Sequence, residues 1–158
     1  MSINSKQLRE HVIRPILKEM DFYSKAAENL LMGIAAQESH LGTYLRQING
    51  PAQGIFQMEP ATEQDIWERY LSRHRLDLAA TVSQFLGSEP DPLVTNLAYQ
   101  VAIARIKLWR VPEPLPVATD IPALAQYWKT HWNTALGRGT EAEFIENYTR
   151  FVDDEGDS

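Results

Sequence analysis

A chain of 158 residues with 44% hydrophobic content is long enough for one buried core and too short for two, so a single domain over residues 1–152 is expected. The formal net charge of −6 argues against a nucleic-acid binder, because a phosphate backbone selects basic surfaces. With no cysteine, disulfides, thiolate metal sites and cysteine nucleophiles are excluded.

The amino terminus, Met1 to Glu10, is polar and lacks the basic-then-apolar layout of an export signal, which predicts synthesis in the cytoplasm without a secretion address. No apolar run approaches the roughly 20 residues of a bilayer crossing, so no membrane insertion is expected. Leu8, Val12, Ile13, Ile16, Leu17 and Met20 predict a first helix from Ser5 to Met20, which Pro15 should kink or split. Ser24 is a good N-cap for a second helix that runs to about Ser39 and stops by Gly42. A polar, turn-rich stretch from His40 to Gln53 follows, with the turn signal Asn49-Gly50-Pro51.

Thr62, followed by the acids Glu63 and Asp65, predicts the cap of a helix carrying Ile66, Trp67, Tyr70 and Leu71 and breaking between Ser72 and Arg75. A piece from Leu76 to Leu86 ends at Gly87. Asp91-Pro92 should then start the most apolar helix, with Leu93, Leu97, Val101, Ala104 and Leu108 at helical spacing. Pro112, Pro114 and Pro116 force an extended link, and Asp120 with Pro122 restarts helix through Tyr127 and Trp128 as far as Gly137 and Gly139. Thr140-Glu141-Ala142-Glu143 fits a capping box ahead of Phe144, Ile145, Tyr148 and Phe151. The acidic end, residues 153–158, reads as a solvated, disordered tail. Few or no strands are expected, so the fold class is mainly α.

Within this pattern Glu38 is out of place. Ala27, Leu31, Ile34 and Glu38 follow one another at steps of four, three and four, so a buried stripe of the second helix finishes in an acid. Desolvation and the negative end of the helix dipole would both raise its pKa, which is what a general acid needs at neutral pH. The plainer alternative is a glutamate turned to solvent at a frayed helix end.

Three strings bear on that choice: Glu38-Ser39, then Gly54-Ile55-Phe56-Gln57, then Pro60-Ala61-Thr62. In this order they resemble the lytic transglycosylases of the lysozyme superfamily, whose first motif is Glu-Ser at a helix end. The family's second motif is Gly-Leu-Met-Gln, commonly followed by Pro-Ala-Thr. Its third, Ala-Tyr-Asn after small apolar residues, has two partial matches here. Ala123-Leu124-Ala125-Gln126-Tyr127 has Trp128 in the asparagine position, whereas Trp132-Asn133 keeps the asparagine and loses the tyrosine. The likeness covers about residues 24–134.

The resemblance implies an α+β lysozyme-like domain with a catalytic cleft, in which Glu38 is the single general acid and base. The implied reaction cleaves the bond between N-acetylmuramic acid and N-acetylglucosamine in peptidoglycan and closes an anhydro ring without water or cofactor. It implies substrate contacts from Ser39, Gln57, Gly54 and Phe56, and from Tyr127, Trp128 or Asn133 according to the third match. Ser39 would orient rather than attack, since no histidine sits where it guarantees a base.

Glu59 is the second acid to weigh. Facing Glu38 across a cleft it would hold a water and make the protein a hydrolytic lysozyme; as a helix-entry acid it needs no such role. Tyr44, Phe56, Trp128 and Trp132 suit either sugar stacking or packing. Arg46 and Lys129 suit either substrate carboxylates or plain surface charge. His11, His40, His74 and His131 are scattered, so no metal site is expected. Size and the missing export address suggest a bacteriophage protein, virion-borne or an endolysin, with virion proteins as partners. The competing class is a non-catalytic structural or sugar-binding phage protein on the same fold.

Overall fold

In the computed structural model, residues 1–133 and 137–152 are described, and they form a single, mainly helical domain. The acidic end at 153–158 and the residues 134–136 lie outside the described residues. Eight helices follow in chain order: α1 (residues 5–19), α2 (Lys25–Ser39), α3 (residues 60–74), α4 (Leu76–Ser83), α5 (Pro92–Thr95), α6 (Leu97–Trp109), α7 (residues 121–133) and α8 (Glu141–Phe151). No extended strand occurs among the described residues; the loop between α2 and α3 carries only the isolated antiparallel bridges Arg46–Gln53 and Gln53–Met58. No described helix is long and apolar enough to cross a membrane.

Side-chain caps start the helices where the local chemistry offers them. Asn4, Ser24, Asn96, Asp120 and Thr140 each accept a hydrogen bond from the backbone N–H three residues on. Pro15 neither kinks α1 apart nor ends it. A wide π turn over Arg9–Ile13, in which Arg14 N–H donates to Arg9 O, comes just before the proline and lets the helix continue.

Two expected boundaries change. α3 begins at Pro60 with Glu59 as its cap residue, so Thr62 sits inside the first turn: the fixed φ of proline is already helical and its missing donor costs nothing at N1. The long helix expected from Pro92 is broken into α5 and α6 at Asn96, which is extended (φ −117°, ψ 98°). Its side chain re-caps α6 at Tyr99 N–H while its amide donates to Phe85 O and Glu89 Oε1, both at 2.6 Å. Satisfying those acceptors outweighs one more helical turn.

α6 is the central element, packing on α1 to α5, and Val101, Ala102, Ile103, Ala104 and Ile106 have no exposed surface. α2 lies beside it and also packs on α7 and α8. Gly33 permits the last contact, for a Cβ there would fall 2.4 Å from Phe144 Cζ. α2 is held to α1 by Glu28, fully buried, which takes charged hydrogen bonds from Arg9 (2.7 Å), Arg14 and Lys25 (3.0 Å). Burial alone would raise its pKa, but the three cations outweigh that and hold it at about 2.

Candidate active site

Glu38 is the penultimate residue of α2, and everything on its stripe before it is buried: Ala27, Leu31 and Ile34 have no exposed surface. The carboxyl itself opens onto a cleft of about 990 Å³, whose lining also includes Gln57, Glu59, Lys107, Trp132 and Asn133. Burial pushes its pKa up from an ordinary 4.5 to about 7, against the opposing pull of the Lys107 ammonium. At neutral pH such a group holds a proton about half of the time.

Ser39 takes no part in the lining. Fully buried, its hydroxyl donates to Ile55 O at 2.7 Å, with Ala35 O at 3.1 Å as its alternative acceptor, and it accepts from Gly42 N–H at 2.9 Å. The chain leaves α2 through three successive left-handed residues, His40, Leu41 and Gly42, with φ of 49°, 52° and 79°. Leu41 N–H closes back on Ala35 O and His40 N–H on Ala36 O, both at 3.1 Å, which satisfies two of the last carbonyls of the helix. Ser39 thus pins the end of the Glu38 helix to the turn at residues 54–57.

That turn is clamped from its other side by Gln100 of α6, whose side-chain oxygen accepts from Ile55 N–H at 2.9 Å. Gly54 (φ 81°) is where the two approach: a Cβ would lie 2.1 Å from Leu93 O and 2.4 Å from Gln100 Oε1. Gly54 therefore serves protein packing in this structure, and Phe56, 2% exposed, points into the core beside it. Gln57 is left-handed (φ 49°) and lines the cleft. Its amide nitrogen donates to Gly54 O at 2.8 Å, which leaves the side-chain oxygen without a protein donor among the described residues.

Lys107, which the sequence reading passed over, faces Glu38 from α6. Its ammonium lies 3.9 Å from the centroid of the Trp132 ring, close enough for a cation–π contact. Burial lowers its pKa from 10.5 to about 8, while Glu38 and then Glu59 pull it back up. Its charge, with that of Arg105, within the otherwise apolar stretch Ala102–Trp109 was the available signal. Glu59, exposed at the head of α3, lines the cleft, as does Asn133, whose side-chain oxygen accepts from Lys129 Nζ at 2.7 Å.

The two third-motif matches separate in space. Asn133 and Trp132 line the cleft with Glu38; Tyr127 and Trp128 do not. Tyr127 donates its hydroxyl proton to Glu113 O at 3.0 Å and lines a different cavity, and Trp128 is fully buried against Phe144. Of the two candidate cations, Lys129 organises the chain after α7 by donating to Gly137 O and Gly139 O, and Arg46 pairs with Asp91 at 3.3 Å. Glu143, Gln37, Gln47, Thr62, His131 and Arg138 add to the polar lining, Gln37 being held by an amide hydrogen bond from Asn147 of α8 at 2.7 Å.

No protein-family model matches this chain, and no curated protein and no solved structure matches it either.

Proposed function

We propose that the protein is a peptidoglycan lytic transglycosylase with a lysozyme-like fold, cleaving between N-acetylmuramic acid and N-acetylglucosamine with Glu38 as its one acid and base. The observation that carries this reading is a single desolvated carboxyl, with a pKa of about 7, opening onto a cleft of about 990 Å³ walled by Gln57 and Asn133.

In the first step protonated Glu38 gives its proton to the glycosidic oxygen as the bond to the muramoyl anomeric carbon breaks. The neighbouring acetamide oxygen of the same sugar supports the positive charge at that carbon. In the second step the Glu38 carboxylate removes the proton of the sugar's own primary hydroxyl, whose oxygen closes on the anomeric carbon. Glu38 ends as it began, and no water is consumed. Lys107 favours the ionised form between the two steps, when the proton is on the leaving sugar. The free side-chain oxygen of Gln57 suits an acetamide N–H or a sugar hydroxyl.

Glu59 lines the same cleft, which favours one second reading, a hydrolytic lysozyme with Glu59 holding the attacking water. Incubation of purified sacculi with wild type and with Glu38→Gln tests the shared part of both. Soluble muropeptides from wild type and none from a folded Glu38→Gln variant are expected. Intact sacculi after wild-type treatment would leave a non-catalytic sugar-binding protein.

A further inference from the structure

Arg105 sits two residues before Lys107, about 200° round α6, and so faces away from the cleft. Only 6% of it is exposed, and it lines a second cavity of about 390 Å³ that shares no lining residue with the first. Its Nε donates to Phe22 O at 3.1 Å, and its guanidinium lies 5.7 Å from the Phe22 ring and 5.6 Å from the Trp109 ring. The two terminal nitrogens have no protein acceptor among the described residues, yet neither is sealed from solvent.

The protein handles its other buried arginine differently. Arg9, 1% exposed, is met by the Glu28 carboxylate at 2.7 Å and by Asn29 Oδ1 at 2.6 Å. Among the described residues no carboxylate pairs with Arg105, although a buried cation without a counter-ion is costly. Leu108, Trp109, Val111 and Leu115 give the cavity its apolar wall, while Tyr127 and Glu113 are its other polar members, the Glu113 side chain being 60% exposed and 3.8 Å from His131 Nε2. The volume is that of a small-molecule site.

We propose that this cavity binds a small organic carboxylate with an apolar body, the carboxylate accepting from both terminal nitrogens of Arg105 and the body lying against Trp109 and Leu115. A guanidinium fork matches a carboxylate in shape, and one positive charge matches one negative. A phosphate dianion fits less well, because Arg105 is the single cation of the lining and Glu113 adds a carboxylate to it.

The test is a titration of the isotope-labelled full chain with phenylacetate, phenylacetamide and phenyl phosphate, following the indole N–H signals of Trp109 and Trp132. Phenylacetate should move the Trp109 signal saturably at millimolar concentration, with the amide and the phosphate at least about tenfold weaker. Arg105→Met should weaken phenylacetate by a similar factor. Leu115→Trp, which keeps Arg105 and fills the cavity, should abolish binding even if the first variant does not fold. Equal titration by acid and amide, tighter binding of the phosphate, retention of binding in Leu115→Trp, or shifts confined to Trp132 beside Lys107 would each overturn the proposal.

Discussion

Ser39 Oγ lies 2.7 Å from the carbonyl oxygen of Ile55, and this hydrogen bond joins the helix end that carries Glu38 to the turn that carries Gln57. Both partners are fully buried, so neither can exchange the bond for water. The serine beside the acid is in this structure a buried tie between the two segments.

Ser39→Ala should therefore cost about 1–3 kcal/mol of stability, because it strands the Ile55 carbonyl and the Gly42 N–H in the interior. Urea denaturation measures it. A loss of only a few tenths of a kcal/mol would mean that the hydroxyl is not the tie between the two motifs.

Glu38→Gln should stabilise the fold in a pH-dependent way. The folded carboxyl keeps its proton up to about 7 while the unfolded one has lost it above 4.5, so wild-type stability falls as pH rises between those values. The variant, which does not titrate, should equal wild type near pH 4 and exceed it near pH 8 by up to about 3 kcal/mol. Thermal or urea unfolding at the two pH values checks this, and a difference independent of pH would show that the carboxyl is not desolvated.

Lys107→Met should raise the pKa of Glu38 further, since the ammonium is the group that pulls it down. The alkaline limb of the activity profile, set by loss of the Glu38 proton, should then move to higher pH, with a lower maximum if the second step needs the ammonium. A pH–rate profile on solubilised glycan strands reads both effects. A limb that stays in place would remove Lys107 from the electrostatics of the site.

What was legible in the sequence was what local chemistry decides. Ser24, Asp120 and Thr140 cap helices because a side-chain oxygen three residues from an orphan N–H needs no tertiary help. Glu38 stood out because helical spacing alone puts it at the end of a buried stripe. The break at Asn96 was not legible, since it depends on Phe85 O and Glu89 arriving from a separate segment. Nor were the wide turns at Arg9–Ile13, Ile66–Leu71 and Lys129–Asn133. The last of these follows directly on Tyr127-Trp128, so the residues before and after it cannot be placed around the α7 axis by a regular period. Lys107 and Arg105 were visible as charges in an apolar helix, but which cavity each would face depended on how α6 is packed.

Glu59→Gln should retain most wall-lytic activity, because a one-acid route gives Glu59 no proton to move and its place at the head of α3 has a helix-dipole explanation. Release of soluble muropeptides by this variant, compared with wild type, measures it. Inactivity equal to that of Glu38→Gln would make Glu59 a second catalytic acid.

The central claim, ring closure by a single carboxyl, is tested most directly by mass spectrometry of the products released from purified peptidoglycan in heavy-oxygen water. The account predicts anhydro-muramoyl ends with no oxygen taken from solvent. Reducing ends carrying the heavy isotope would contradict it and make the protein a two-carboxylate hydrolase.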